Sequence, residues 1–364
     1  FSGVRIPTMR CARCHRFDRD VGLPFASVPN ERLSALLAYA PPLNRELMGP
    51  EQRARLARLC DLVAPDAAAD FDDERIAAEL SRVEVVISGW GCPKLDEATL
   101  DRMPVLRAVF HAAGTVKSHV TPACFDRGIR VTSAALANAI PVAEYTVAAI
   151  LFGNKRAFRA QRRYAELRAF RLWSEELPGL GNHRKVVGIV GASHVGRLVI
   201  EHLAAFDLSC LVFDPYLDDA EAEHLGARRC ELDELMKRSD VVSLHAPLLR
   251  ETRGMIDARR LALMRDGTVL INTARGAIVD QDALTRELVS GRLDAVIDTT
   301  DPEVLPTDSP LYELENVFLT PHIAGSLGDE TQRLFDSALD ELDRFARGAK
   351  LEHEVRREDW HRIA

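Results

Sequence analysis

The stretch that most constrains this chain is Lys185 to Tyr216, which reads KVVGIVGASHVGRLVIEHLAAFDLSCLVFDPY. The apolar run Val186 to Val190, closed by Gly191, reads as a buried strand. Val195, Leu198, Val199, Leu203 and Phe206 then recur at about 3.6-residue spacing, which predicts a helix with one inward face. Leu211 to Phe213 begins a second strand, which ends on Asp214. Strand, glycine turn, helix, strand and acid are, in order, the parts of a dinucleotide-binding unit.

Each part has a physical task. Gly191 permits the turn out of the strand, and Gly196 lets the helix pack close to the sheet. The free N–H groups at the start of the helix, in the run Ser193-His194-Val195-Gly196, face a pyrophosphate with the positive end of the helix dipole. Asp214 can accept both hydroxyls of the adenosine ribose and would repel a 2′-phosphate, so NAD is expected over NADP. Ser193 replaces the middle glycine of Gly-x-Gly-x-x-Gly. Its hydroxyl could donate to a phosphate oxygen, but the substitution weakens the pattern.

Composition sets the frame. The chain has 364 residues, enough for two domains with sizeable cores. With 47% hydrophobic and 28% charged residues it reads as an ordinary soluble globular protein of cytoplasmic type. A net charge of −8 gives no reason to expect nucleic acid or an anionic membrane as partner. No apolar run approaches the roughly 18 residues that span a bilayer, and no secretory leader stands out. Seven cysteines, scattered at 11, 14, 60, 92, 124, 210 and 230, fit reduced thiols. Cys11-Ala-Arg-Cys14-His15 has the form of a haem attachment string or half a zinc site. Haem attachment needs export, and no second ligand cluster follows at finger spacing, so no metal is expected. A poorly ordered basic N-terminus over residues 1–20 is the plainer reading, and the first eight residues, beginning at Phe1, could come from a tag or upstream read-through.

In chain order, Asn30 to Tyr39, Pro50 to Cys60 and Asp72 to Leu80 read as helices. Val83 to Ile87 and Leu106 to Phe110 read as strands, followed by the small-residue loops Ser88-Gly89-Trp90-Gly91 and Ala112-Ala113-Gly114-Thr115. Ile129 to Thr132 adds a short strand. Asn138 to Trp173 predicts mostly one long helix, with Pro141 in its first turn, an apolar first half and a basic, solvated second half. Strands at Asp240–Leu244, Thr268–Asn272, Asp294–Asp298 and Asn316–Thr320 alternate with helical segments near 231–238, 257–265 and 280–290. That alternation calls for a doubly wound parallel sheet. A last helix, roughly Asp329 to Arg347, comes too late for this sheet and should pack on the first domain.

Four strings in the second half carry a resemblance. They are Val242-Ser-Leu-His245-Ala-Pro247 with Thr252-Arg-Gly-Met-Ile256; Leu270-Ile-Asn-Thr273-Ala-Arg275-Gly276; Asp298 with Glu303; and Thr320-Pro-His322-Ile-Ala-Gly325. Together with Ala113-Gly114-Thr115 and Val142-Ala143-Glu144, they resemble the D-isomer-specific 2-hydroxyacid dehydrogenase family over about residues 80 to 350. The resemblance implies NAD as cofactor, a small 2-oxo or 2-hydroxy acid as substrate, and commonly a homodimer, for which the apolar helix near 142–152 is the expected contact. It also implies that Ala246, Pro247, Thr252, Thr273, Ala274, Asp298 and Gly325 face the cofactor. Trp90, Ala113, Gly114 and Thr115 would then face the substrate.

The residue types make chemical sense on their own. Reduction of a 2-oxo acid needs a fixed cation for the carboxylate and a proton donor for the growing alkoxide. Arg275, between Ala274 and Gly276 after a strand, offers a bidentate fork. A lone His322 is more often structural, but Glu303 can orient its ring and support its charged form. Asp298, ending its strand, is expected to meet the nicotinamide carboxamide. Formate-oxidising members have glutamine where Glu303 stands, which argues against formate. Two departures stand out: Ser193-His194 in the phosphate turn, and Thr299-Thr300 after Asp298, which could enlarge or polarise the site. His15, His111, His119, His183 and His224 lack such company and read as structural.

The expected architecture is α/β. A doubly wound, Rossmann-type cofactor domain spans 174–321, and a discontinuous flavodoxin-like substrate domain comprises 21–173 plus 322–350. The expected activity is interconversion of a 2-oxo acid and a D-2-hydroxy acid, with His322 as acid/base. A binding module of another class, sensing NADH with little turnover, is the alternative on the same fold.

Overall fold

The computed structural model describes residues 32–177 and 179–363. Two sheets, both wholly parallel, organise them. The first contains β1 (Leu33–Ala38), β2 (Cys60–Leu62), β3 (Val85–Ser88), β4 (Ala108–His111) and β5 (Arg130–Ser133), in the order β2-β1-β3-β4-β5. This is the flavodoxin-like order. The second contains β6 (Lys185–Val190), β7 (Leu208–Phe213), β8 (Ala227–Arg229), β9 (Val241–Leu244), β10 (Val269–Asn272), β11 (Asp294–Ile297) and β12 (Val317–Leu319). Its order, β12-β11-β10-β9-β6-β7-β8, reverses direction between β6 and β9, as in a dinucleotide-binding sheet.

Helices cover both faces of each sheet, so the strands read as unbroken apolar runs. The Ala135–Asn154 helix joins the two halves. Ala137, near its start, packs in the core of the first sheet, while Ala143, Ala149 and Ile150 pack with Val187, Val199 and Ile271 of the second. The Glu330–Ala346 helix returns to the first sheet, where Leu334, Phe335, Ala338, Leu339 and Leu342 pack against Leu37, Tyr39 and Phe110.

Several elements differ from the sequence reading. Leu33–Ala38 is a strand rather than a helix. It lies between β2 and β3, with Ala35 to Ala38 fully buried, so its continuous apolar run serves two covered faces. The Asp72–Leu80 helix is only Glu74–Ala77, N-capped by Asp73. The long helix starts at Ala135, which puts Pro141 well inside it, and it stops at Asn154. Arg156 takes a left-handed conformation (φ 50°), donates to the Gly267 carbonyl and pairs with Asp294. A second helix, Ala157–Leu167, follows. The Ala135–Asn154 helix is also long and apolar enough, by length and composition, to cross a membrane (mean hydropathy 1.6). Counting uninterrupted apolar runs passed over it, because Glu144 and Thr146 break the run. The Cys11–Cys14 string and the N-terminus of residues 1–20 lie outside the described residues.

Candidate active site

The turn after β6 is shaped by contact with the end of β9. Gly191 has φ 100°, and a Cβ there would lie 2.7 Å from the Ala246 nitrogen. A Cβ at Gly196 would lie 2.1 Å from the Gly191 carbonyl oxygen. Both positions therefore require glycine. Ser193 does not: at φ −65° and ψ 179° it N-caps the following helix, and its hydroxyl accepts from Gly196 N–H at 3.4 Å. Among the described residues, the backbone N–H groups of Ser193, His194 and Val195 meet no acceptor. Burial, together with Arg197 and His353, holds the His194 pKa below its usual value.

Asp214 closes this corner. One oxygen accepts from Ala192 N–H and the other from Tyr216 N–H, both at 2.8 Å, which fixes the carboxylate at the end of β7. Glycines that a side chain would block, N–H groups directed outward at a helix start and a fixed acid together fit a dinucleotide. The Thr252 hydroxyl is spent within its own loop, donating to the Pro247 carbonyl at 2.6 Å. The Thr273 hydroxyl pairs with Thr146 at 3.0 Å, tying the joining helix to the end of β10.

The Arg275 turn is built from below. Asn272, buried at the end of β10, accepts from Ala274 N–H and donates to the Arg275 carbonyl. A Cβ at Gly276 would fall 2.0 Å from the Thr300 carbonyl carbon, so this turn lies directly on the 300–301 backbone. Burial works against the Arg275 charge, and the Glu303 carboxylate works for it.

Glu303 also meets His322: its Oε1 lies 2.5 Å from Nδ1. An ionised carboxylate there accepts from Nδ1–H, which fixes the ring's orientation and tautomer. His322 has φ 57°, a costly conformation for a side chain with a Cβ. It is held there by its N–H to the Asp298 carbonyl at 2.9 Å. The Asp298 carboxylate, 2% exposed, accepts from Thr320 hydroxyl (2.6 Å), Ile323 N–H (2.8 Å) and Ala324 N–H (2.9 Å). It thus underpins the histidine loop. Tyr145 extends the chain of hydroxyls, lying 2.8 Å from Thr320. Thr300 turns its hydroxyl onto the Pro302 and Glu303 carbonyls, and Thr299 is buried, so both support the Glu303 turn from within.

From the first sheet, the Ala113-Gly114-Thr115 loop approaches the same region. Ser133 hydroxyl donates to the Ala113 and Gly114 carbonyls. Asn138, which the sequence reading passed over, accepts from Ser326 N–H at 3.1 Å, and its amide lies beside Gly114 and Gly325. It joins the loop after β4 to the loop after His322. Trp90, 40% exposed, stands on the loop after β3, its carbonyl accepting from Ala40 N–H. Behind these loops Ser88 lies 3.0 Å from His111 and 3.1 Å from His119. Burial lowers the pKa of both rings, that of His119 to about 4.

The paired parallel sheets and the dinucleotide turn at the reversal of strand order define a dinucleotide-binding α/β class, on which Arg275, Glu303 and His322 come together. The family model "D-isomer specific 2-hydroxyacid dehydrogenase, NAD binding domain" matches residues 147–324. Glyoxylate reductase of Thermofilum pendens is 33% identical over 248 residues, 67% of this chain and 73% of that protein. D-3-phosphoglycerate dehydrogenase of Mycobacterium tuberculosis (strain ATCC 25618 / H37Rv) is 33% identical over 242 residues, 66% of this chain. The chain spans only 45% of that relative's length. D-lactate dehydrogenase of Aquifex aeolicus, solved with NAD and lactic acid, is 28% identical, with a TM-score of 0.66 over 86% of this chain and 96% of its own. The chain belongs to the D-isomer-specific 2-hydroxyacid dehydrogenase family, and its cofactor is NAD.

Proposed function

We propose that this protein interconverts a 2-oxo acid and a D-2-hydroxy acid, with His322 as the proton donor and acceptor. The observation that carries the reading is the cluster of Arg275, Glu303 and His322, three residues far apart in sequence. Glu303 touches the imidazole at 2.5 Å and acts on the Arg275 charge. Arg275 holds the substrate carboxylate with its planar fork and polarises the neighbouring carbonyl. His322, with Nδ1 held by Glu303, hands a proton from Nε2 to the oxygen as it gains charge. Asp298 fixes the loop that aims the ring. When bound, the nicotinamide supplies the hydride. Residues Gly191 to Gly196 hold its pyrophosphate and Asp214 the ribose, with Ala246, Pro247, Thr273 and Ala274 at the neighbouring strand ends. Trp90 and Ala113 to Thr115 face the R-group.

In this proposal residues 174–321 form the cofactor domain, and 21–173 with 322–350 form the substrate domain. The expected homodimer is part of it, with the contact moved along the chain. Val142, Ala143, Thr146, Ala149 and Ile150 are buried within the protein, whereas Phe152, Tyr164, Leu167, Phe170 and Leu172 are exposed, Phe170 by 91%. The free thiols at Cys60, Cys92, Cys124, Cys210 and Cys230 support a reducing, cytoplasmic setting.

The test is NADH oxidation with glyoxylate, pyruvate, hydroxypyruvate and bulkier 2-oxo acids. Turnover with one of them is expected. Tight NADH binding with no turnover across the panel would favour an NADH-sensing module instead.

A further inference from the structure

Behind the loops of the first sheet lies a buried polar cluster that the proton and hydride steps leave unused. Ser88 ends β3 and His111 ends β4, and the parallel register sets the two side by side. The Ser88 Oγ lies 3.0 Å from Nδ1 of His111 and 3.1 Å from Nε2 of His119. The two rings have their centres 4.5 Å apart, and all three side chains are buried. Nδ1 of His119 lies 3.3 Å from the Ser118 hydroxyl. A hydroxyl has one proton, so Ser88 donates to one ring and accepts from the other. Burial keeps both rings neutral, the form in which this arrangement satisfies them.

These contacts fall at the roots of two loops. The first runs from Ser88 to Leu95 and carries Trp90. The second runs from His111 to His119 and carries Ala113, Gly114 and Thr115. Ala112 N–H donates to the Ser88 carbonyl at 2.7 Å, which joins the two loops where they open. His119 closes the second loop, and its carbonyl accepts from Leu95 N–H at 2.8 Å, which closes the first. One hydroxyl, at the root of the first loop, therefore meets side chains from both ends of the second. Residues 89–94 and 112–118 contain no strand or helix of their own, so their shape depends on how their ends are held.

We propose that Ser88, His111 and His119 are positioning residues for the substrate. Their hydrogen bonds hold the two loops at a fixed spacing, which sets the size of R-group admitted between Trp90 and the Ala113–Thr115 segment. This rests on reading those loops as facing the R-group. The cluster touches neither substrate nor cofactor; it acts through the loops on substrate fit and leaves the Gly191 turn and Asp214 alone.

The test is steady-state kinetics of the full chain with 2-oxo acids of graded R-group, from glyoxylate through pyruvate to phenylpyruvate, beside direct titration of NADH. Ser88→Ala removes the shared hydroxyl. It should narrow the spread of kcat/KM across the series about tenfold, chiefly through KM, while NADH affinity stays within twofold. His119→Gln keeps an amide oxygen that can accept where Nε2 stood, and it should lie nearer wild type than His119→Met, which offers no such acceptor. Thermal unfolding without ligand shows which variants keep the fold; Ser88→Cys, close in size with a weaker hydrogen bond, replaces Ser88→Ala if the latter does not. A folded Ser88 variant whose spread stays within twofold of wild type would overturn the positioning role alone. An equal loss for every substrate with weakened NADH binding, the mark of general destabilisation, would overturn it too. A wild type that turns over none of the acids would overturn the dehydrogenase reading and this role with it.

Discussion

The loop that carries His322 stands on one carboxylate, and Asp298→Asn tests that support. Asparagine keeps the shape but offers one acceptor oxygen and one donor amide. The Thr320 hydroxyl can turn to accept from that amide. The two backbone N–H groups, Ile323 at 2.8 Å and Ala324 at 2.9 Å, cannot turn, and they reach different oxygens. One of them therefore loses its acceptor in a place where the side chain is 2% exposed. A hydrogen bond to a charged acceptor contributes about 1.5–3 kcal/mol, and a buried unpaired donor costs about 1–3 kcal/mol. These are overlapping descriptions of one loss, so we take about 3 kcal/mol for the local opening of the loop. That corresponds to roughly a hundredfold in an equilibrium constant. Hydrogen exchange at the amides of 323 and 324 should accelerate by about that factor, while amides within β10 and β11 change little. Turnover should fall with it, because the loop on either side of His322 is no longer held by the Asp298 carboxylate. Unchanged protection of the two amides would refute the reasoning. Intact protection with weakened NADH binding would return Asp298 to the nicotinamide, the role the sequence suggested.

Three further outcomes are expected. Arg275→Lys keeps the charge and loses the fork, so kcat/KM for a 2-oxo acid should fall about ten- to a hundredfold while NADH binding stays within twofold; loss of NADH binding instead would remove Arg275 from the substrate. Asp214→Ala should weaken NADH and narrow its advantage over NADPH in direct titrations, and a wild type that already prefers NADPH would contradict the ribose role. Burial holds His119 neutral down to about pH 4 against an ordinary 6.5, so the unfolded chain takes up its proton first as pH falls. Its share of stability, about 3 kcal/mol, is present above pH 6.5 and lost between 6.5 and 4; urea unfolding across that window should show a shallower loss in His119→Gln, and an equal slope would show that this ring is not responsible.

How much of this was legible depended on the range of the forces involved. The Gly191 turn was readable because its requirements are local: a strand, a glycine at positive φ and a helix start lie within a dozen residues. Its departure, Ser193, was harder to weigh. Only the backbone angles show that the position is an ordinary N-cap in need of no glycine. The Leu33–Ala38 strand was misread because Leu33, Leu36 and Leu37 also satisfy helical spacing. A fully buried strand and a buried helix turn share that pattern, and the choice is made by neighbours, here β2 and β3. The end of the long helix carries Gly153, but the residue that takes the left-handed conformation there is Arg156. Arg156 leaves the helical conformation where its guanidinium meets Gly267 and Asp294, residues more than a hundred positions away.

The candidate site divides along the same line. Arg275, Glu303 and His322 carry recognisable chemistry in short strings, and the structure brings those strings to one place. The residues that aim them carry none. Asn138 is an unremarked polar residue until Gly114 and Ser326 lie on either side of it, and Tyr145 is one aromatic in an apolar helix until it meets Thr320. Ser88 read as the start of a loop and His111 and His119 as structural; the parallel register of β3 and β4 sets Ser88 beside His111, and the fold brings His119 to the same hydroxyl. Chemistry was written in strings of a few residues, whereas its positioning was written in contacts that only the folded chain creates.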